Sequence, residues 1–282
     1  MSGKSFIAKI AEIILRFSKP KYMDSKVEIE DFLAKKSKTQ NKPVKSIFKS
    51  VDFNGMQVFT FGNKEKCKNI ILYVHGGAYV NEINYQHQLY CMKLSRKLNS
   101  YVLAPVYGLA PNHKSQETFE AIRELYQDIL KADKNTILMG DSAGGGFVLS
   151  FAQYLKTINL PQPDYIITFS PWVDISMSNP PYESENDPIL GEIGLREIGK
   201  SWVGDLDTKD YRVSPFYGDK SGLAKTLVFA GENEIFYKDI KKYIEDCDNT
   251  KLIIGEGLFH IYPLFPIPEA KKAFKEIKKE IM

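Results

Sequence analysis

Six short apolar runs, Asn69–Val74, Tyr101–Ala104, Thr136–Met139, Tyr165–Phe169, Thr226–Ala230 and Lys251–Ile254, alternate with helical stretches from residue 69 to the end of the chain. No other feature narrows the fold as much. Strands that are each followed by a helix run parallel, and a parallel sheet needs cover on both faces. The helical stretches are Tyr85–Leu98, Gln116–Leu130, a run after Ser142 through Leu155, Gly191–Trp202, Tyr237–Asp246 and one from Pro268 onward. The last places Ala270, Ala273, Phe274, Ile277 and Ile281 on one side, the spacing of a helix that buries a single face. Ahead of these, Phe48–Phe53 and Met56–Phe61 flank Asn54-Gly55, a pair suited to the positive φ angles of a two-residue hairpin, so the sheet begins with an antiparallel edge. The expectation is one α/β domain over residues 46–282, preceded by a helical segment over 1–45.

Within that alternation the stretch Gly140-Asp-Ser-Ala-Gly144 falls where a short buried strand gives way to a helix. Glycine is costly to order and packs little, so a serine set among such small residues needs backbone that side chains would obstruct. A Gly-x-Ser-x-Gly frame between strand and helix is the arrangement of a nucleophile elbow, which holds a serine hydroxyl exposed on a sharp turn and aims the positive end of a helix at it. A second glycine-rich stretch, His75-Gly-Gly-Ala-Tyr79, follows the strand Asn69–Val74. Acyl transfer generates an oxyanion that needs two or three backbone N–H donors. The expected donors are the amides of Gly77, Ala78 and Ala143, and Gly76, Tyr79 and Asp141 are expected on the substrate side of the site.

A serine needs a base to act as a nucleophile, and the base needs an acid to orient it. The chain has four histidines. His75 belongs to the glycine loop, His87 falls in a helix where a surface role is expected, and His113 follows Ala110-Pro111 as a structural residue. His260 stands in the loop between the strand Lys251–Ile254 and the last helix, so it is the candidate base. With serine, acid and histidine in that chain order, the loop after Thr226–Ala230 supplies Glu234 as first choice and Glu232 as second, with Asp239 one helical turn further on. Tyr79, Trp172, Trp202 and Phe236 are candidate pocket walls, with an ordinary core role as the alternative.

A formal charge of +3 is too small to indicate nucleic acid. The lysines of Lys35 to Lys45 and Lys271 to Lys279 read as a solvated linker and a solvated helix face. Three separated cysteines form no disulfide framework and suit a cytoplasmic protein. His87 and Cys91 share metal-ligand spacing on a helix but have no evident third ligand, so helix packing is the better account and no metal is expected. Residues Phe6 to Phe17 form an amphipathic helix too interrupted by charge for stable membrane insertion, with docking on its own protein as the first expectation and a membrane-surface role as the alternative. Its Ile10, Ile13, Ile14 and Phe17 face is expected to cover an acyl pocket.

These motifs resemble the hormone-sensitive-lipase-like carboxylesterases of the α/β-hydrolase superfamily. Beyond HGGAY and GDSAGG, the stretches YGLAPNH (Tyr107–His113), SPWVDIS (Ser170–Ser176), VSPFYGD (Val213–Asp219) and GENEI sit where similar segments sit in that group. The resemblance implies an eight-stranded, mostly parallel sheet with a small helical cap, here residues 1–45 plus an insertion at about 176–205. It also implies cofactor-free cleavage of a small ester substrate, and it puts Glu234 at the acid position. Gly108 replaces the group's usual arginine and so removes an ion-pair partner from the loop it belongs to. The expected activity is a carboxylesterase with Ser142, Glu234 and His260. The alternatives are an arylformamidase-type amidase and a ligand-binding protein on the same scaffold. A homodimer is left open.

Overall fold

In a computed structural model the described residues are 3–39, 43–182 and 186–282. Eight strands form one sheet: β1 (Ser50–Phe53), β2 (Met56–Phe61), β3 (Asn69–Val74), β4 (Ser100–Pro105), β5 (Asn135–Asp141), β6 (Tyr165–Phe169), β7 (Lys225–Gly231) and β8 (Thr250–Gly255). Their order is β1-β2-β4-β3-β5-β6-β7-β8. The first two pairings are antiparallel and the rest parallel. Asn54 and Gly55 both have positive φ, 51° and 85°, as the hairpin requires.

Alternate residues along the central strands face opposite layers. Ile70, Leu72, Val74, Leu138, Ile166 and Val228 pack under helices α4 (Ser115–Leu130), α5 (Ala143–Thr157) and α7 (Tyr237–Ile244). Ile71, Tyr73, Ile137, Met139, Phe169 and Phe229 pack under α3 (Tyr85–Leu98) and α8 (Pro268–Ile281). Because both faces are covered, the central strands are apolar throughout, and it is that run which made them legible.

At the carboxyl ends of the strands lies a helical layer made of α1 (Phe6–Ser18), a 3-10 turn at Lys21–Met23, α2 (Lys26–Ser37) and α6 (Glu192–Val203). Helix α2 carries Lys35 and Lys36, so the lysine run read as a linker is helical up to Ser37; residues 40–42 lie outside the described residues, as do 183–185 of the expected insertion. Charge on most of its turns hides this helix from a periodicity reading. It is held by Ile29, which is buried, and by Phe32, whose ring stacks on Tyr22 at 4.0 Å.

The apolar face of α1 does not cover a pocket. Ala8 and Glu12 are its buried residues, and Phe6, Ile7, Ile10, Ile13, Ile14 and Phe17 are exposed. Polar anchors set this orientation. The Ser5 amide and hydroxyl donate to Glu269 at 2.6 and 3.0 Å, Arg16 donates to the Asn186 carbonyl at 3.0 Å, and Glu12 pairs with both Lys4 and Arg16. Among the described residues no helix is long and apolar enough to cross a membrane.

Candidate active site

Ser142 joins β5 to α5 with φ 52° and ψ −121°, a conformation that β-carbon-bearing residues rarely adopt. The turn is held from outside. The Ser142 amide donates to the Phe169 carbonyl at 2.8 Å, and its carbonyl accepts from the amides of Gly146 and Trp172, each at 3.0 Å. The glycines of α5 answer to close approach rather than to φ. A Cβ at Gly144 would lie 2.1 Å from the Val74 carbonyl oxygen, and one at Gly146 would lie 2.1 Å from that of Trp172. Each glycine costs about 1 kcal/mol of helix propensity, and the contacts they permit press the helix N-terminus against the end of β3 at Gly144 and against the loop after β6 at Gly146.

His260 Nε2 lies 2.9 Å from Ser142 Oγ, and both residues are buried. On the other side of the imidazole, Glu234 Oε2 is 3.8 Å from Nδ1, an ion-pair distance outside hydrogen-bond range. The same carboxylate oxygen accepts from the Ser170 hydroxyl at 2.5 Å and the Gly231 amide at 3.0 Å. Burial pushes the Glu234 pKa up, and His260 and these donors only partly offset it. For His260, burial alone would lower the pKa, but the Glu234 carboxylate, with the Asp187 and Asp141 charges adding to it, outweighs burial and holds the imidazole above its ordinary value. Glu232 is exposed and accepts from the Gly257 amide at 2.8 Å, whereas Asp239 accepts from Asn179 and Tyr182 at 3.0 and 2.9 Å. Of the three candidate acids, the structure brings only Glu234 to His260.

The HGG loop is built around Asp141. Its Oδ1 accepts from the Tyr73 hydroxyl at 2.6 Å and the Gly76 amide at 3.0 Å, and its Oδ2 lies 3.2 Å from His87 Nε2. Burial would raise the Asp141 pKa, but His87 and the two other donors outweigh it and hold the carboxyl below the usual range. A Cβ on Gly76 would meet Asp141 Oδ2 at 2.3 Å. Gly76 and Asp141 thus bind each other: the Gly76 amide is spent, and Asp141 reaches the cavity with its carboxylate already committed. The next three residues, Gly77, Ala78 and Tyr79, all have positive φ. This reversal leaves the amides of Gly77, Ala78 and Ala143 without a protein acceptor among the described residues.

These groups open on a cavity of about 340 Å³, lined by Gly77, Ala78, Ser142 and His260 below and by Met23, Ile189 and Leu190 above. Two larger cavities, of about 440 and 460 Å³, lie elsewhere on the surface and touch neither Ser142 nor His260. Asn81, Glu82, Asn84 and His87 add a polar wall.

Several expectations change here. Tyr79 is in the core: its ring stacks on Trp202 at 4.3 Å, and its hydroxyl donates to the Ala143 carbonyl at 2.7 Å, so it braces the elbow. Trp172, Trp202 and Phe236 are likewise fully buried around it and off the cavity wall. His87 is buried against Asp141 and lines the cavity, the reverse of a surface role. Gly108 leaves the room that the His113 ring fills, and the loop is supported instead by the Tyr107 hydroxyl on the His75 carbonyl at 2.7 Å and the Ala110 amide on the Tyr79 carbonyl at 2.8 Å. His75, buried beside His87, has its pKa lowered to about 3 and is neutral. Among the described residues no group of three or more His, Cys, Asp or Glu could hold a metal ion.

Sequence reasoning missed two residues. Ser170 accepts the Ile261 amide at 2.8 Å while donating to Glu234, so it joins the acid loop to the histidine loop. Asp187 takes the amides of Ile189 and Leu190 on one oxygen, at 2.8 and 2.9 Å, and that of Ile235 on the other at 3.0 Å, so it ties the cavity wall to the acid loop. Ser170 opens the SPWVDIS stretch, which carries the resemblance without marking this role, and Asp187 has no short-range spacing signature.

A mostly parallel sheet with an antiparallel edge, a serine held between β5 and α5, and a histidine after β8 define a protein of the α/β-hydrolase class. The sequence model of the α/β-hydrolase fold family matches residues 71–263, more than half of the chain, and the chain belongs to that family. It is 29% identical over 220 residues to an esterase of Acinetobacter venetianus, covering 74% of this chain and 73% of the relative. It is 26% identical over 216 residues to an acetyl-hydrolase of Streptomyces hygroscopicus, covering 73% and 72%. A hormone-sensitive lipase from a metagenome library superposes with a TM-score of 0.82 over 99% of both chains at 22% identity, a likeness of fold alone.

Proposed function

We propose that this chain is a carboxylesterase that cleaves short- to medium-chain esters through Ser142, His260 and Glu234. The observation that carries the reading is the 2.9 Å approach of His260 Nε2 to Ser142 Oγ on the floor of a cavity beside three amides free to donate. In this reading His260 takes the hydroxyl proton as Ser142 attacks the ester carbonyl. The oxyanion is received by the amides of Gly77, Ala78 and Ala143, and the imidazolium is stabilised by Glu234. His260 then returns the proton to the leaving alcohol, and water repeats the sequence on the acyl-enzyme. The esterase and acetyl-hydrolase names of the relatives support an ester substrate, and the modest volume and apolar wall of the cavity support a short or medium acyl group.

The test is covalent labelling with a fluorophosphonate, together with a panel of p-nitrophenyl esters of increasing acyl length and an aryl formamide. Wild type should label and hydrolyse the esters. Ser142→Ala should not label, and should lose about 10⁴-fold or more in kcat with its fold intact. Near wild-type turnover by Ser142→Ala would overturn the assignment, and faster cleavage of the formamide than of any ester would replace the esterase reading with an amidase.

A further inference from the structure

The most apolar stripe of α1 faces away from the protein. Phe6 is 75% and Phe17 90% exposed, and Ile7, Ile10, Ile13 and Ile14 range from 43% to 60%. The six form one continuous face on a 13-residue helix. At ~180 Å² for a fully exposed side chain of this size, the patch is on the order of 600 Å², at the upper limit for the largest apolar patch of a soluble monomer. The Ser5–Glu269 and Arg16–Asn186 bonds hold the opposite side of the helix on the protein, so the stripe cannot turn inward without breaking them.

Charge selects the occupant. Residues 1–49 hold twelve Lys and Arg against five Asp and Glu, although the whole chain is only +3. Positive charge is therefore concentrated on the segment that bears the patch, and Lys9, Lys21 and Lys26 are exposed on or next to α1. An apolar helical face bordered by basic residues is suited to lie in the headgroup region of an anionic bilayer. Two copies of this chain meeting through the patch would instead bring two basic rims together. We infer that α1 docks the protein on an anionic lipid surface, with its Phe6–Phe17 face in the headgroup–acyl boundary. Three residues beyond Phe17 the chain reaches Pro20, which with Tyr22 and Met23 lines the cavity that holds Ser142. Docking thus places the cavity mouth where an apolar ester partitions.

The test is co-sedimentation of the full chain with vesicles of phosphatidylglycerol and phosphatidylcholine, and with phosphatidylcholine alone. It compares wild type with the exposed-face double variant Ile10→Glu/Phe17→Glu. Wild type should bind the anionic vesicles, more weakly as salt rises, and at least about tenfold more weakly in the double variant. Far-UV circular dichroism and the thermal melt should be equal in both proteins, which shows the variant to be folded and makes the outcome independent of how the hydrolytic site is read. No binding to anionic vesicles, or equal binding by the variant, overturns the inference. So does a concentration-dependent wild-type dimer, seen by sedimentation velocity and lost in the variant, if vesicles are not bound.

Discussion

Replacing Glu234 by glutamine keeps the shape of the side chain and removes its charge from a point 3.8 Å from His260 Nδ1. In the proposed reaction that charge matters most when the imidazole becomes an imidazolium. At an effective dielectric of about 20, two unit charges at this separation attract by about 4 kcal/mol. Each 1.36 kcal/mol is a factor of ten in rate, so Glu234→Gln should lower kcat/KM by roughly 10³-fold. The pH profile supplies a second reading. The proposed reaction requires neutral His260, whose pKa is held above the ordinary value, chiefly by the Glu234 carboxylate, against the downward pull of burial. The acid limb of wild-type kcat/KM should therefore lie above the usual histidine range, and in Glu234→Gln, with only the Asp187 and Asp141 charges left to oppose burial, it should move to lower pH. Glu232→Gln is the control, because Glu232 is exposed and holds only the Gly257 amide. Stopped-flow hydrolysis of a p-nitrophenyl ester from pH 5 to 9 measures all three proteins. A Glu234→Gln variant within tenfold of wild type, with an unmoved acid limb, would refute the electrostatic argument, and a crippled Glu232→Gln beside it would transfer the role to Glu232.

Ser170→Ala removes the hydroxyl that links Glu234 to the Ile261 amide without touching the cavity, so kcat should fall about tenfold with KM unchanged; a rise in KM alone would contradict this positioning role. Met23→Ala opens the apolar roof of the cavity and should move the acyl-length optimum toward longer esters, and an unchanged optimum would remove Met23 from the acyl wall. The buried Asp239 has its pKa raised from 3.8 to about 6 by desolvation, so the folded state holds a proton that the unfolded chain releases. The resulting stability is present below about pH 4 and is lost as the pH rises through 6, by no more than about 3 kcal/mol. Thermal melts of Asp239→Asn and wild type should accordingly diverge in favour of the variant between pH 4 and pH 7, and a constant gap would show that Asp239 is not strained by burial.

The parts of the site legible in the sequence are those whose chemistry constrains adjacent residues. Ser142 and the HGG loop announce themselves because backbone must approach backbone there, as the contacts of Gly76 and Gly144 show. The acid was harder. Glu232 and Glu234 are two residues apart and would share a face in an extended strand, but the chain turns after Gly231, sending Glu232 out to Gly257 and Glu234 in to His260. Tyr79 was misplaced because its positive φ carries the ring beneath the loop, which no pattern of aromatics reveals. For α1 the periodicity identifies one apolar face, yet the side that meets the protein is decided by Ser5 and Arg16 and their partners far along the chain, Glu269 and Asn186.

The helical layer and the chemistry are joined by buried polar bridges, and this changes what a substitution in that layer should do. Asp187 holds Ile189 and Leu190 at the cavity wall with one carboxylate oxygen and the amide after Glu234 with the other. Tyr79 lies against Trp202 of α6 while its hydroxyl grips the first residue of α5, whose own amide is a proposed oxyanion donor. A group buried in this way cannot lose one partner without leaving another unsatisfied, at a cost of about 1–3 kcal/mol. A change that shifts the helical layer at the cavity wall therefore also shifts the Glu234 loop or the N-terminus of α5. Substitutions at these bridges should act on kcat as well as on KM, whereas those at Met23, which carries no such bridge, should act on substrate fit.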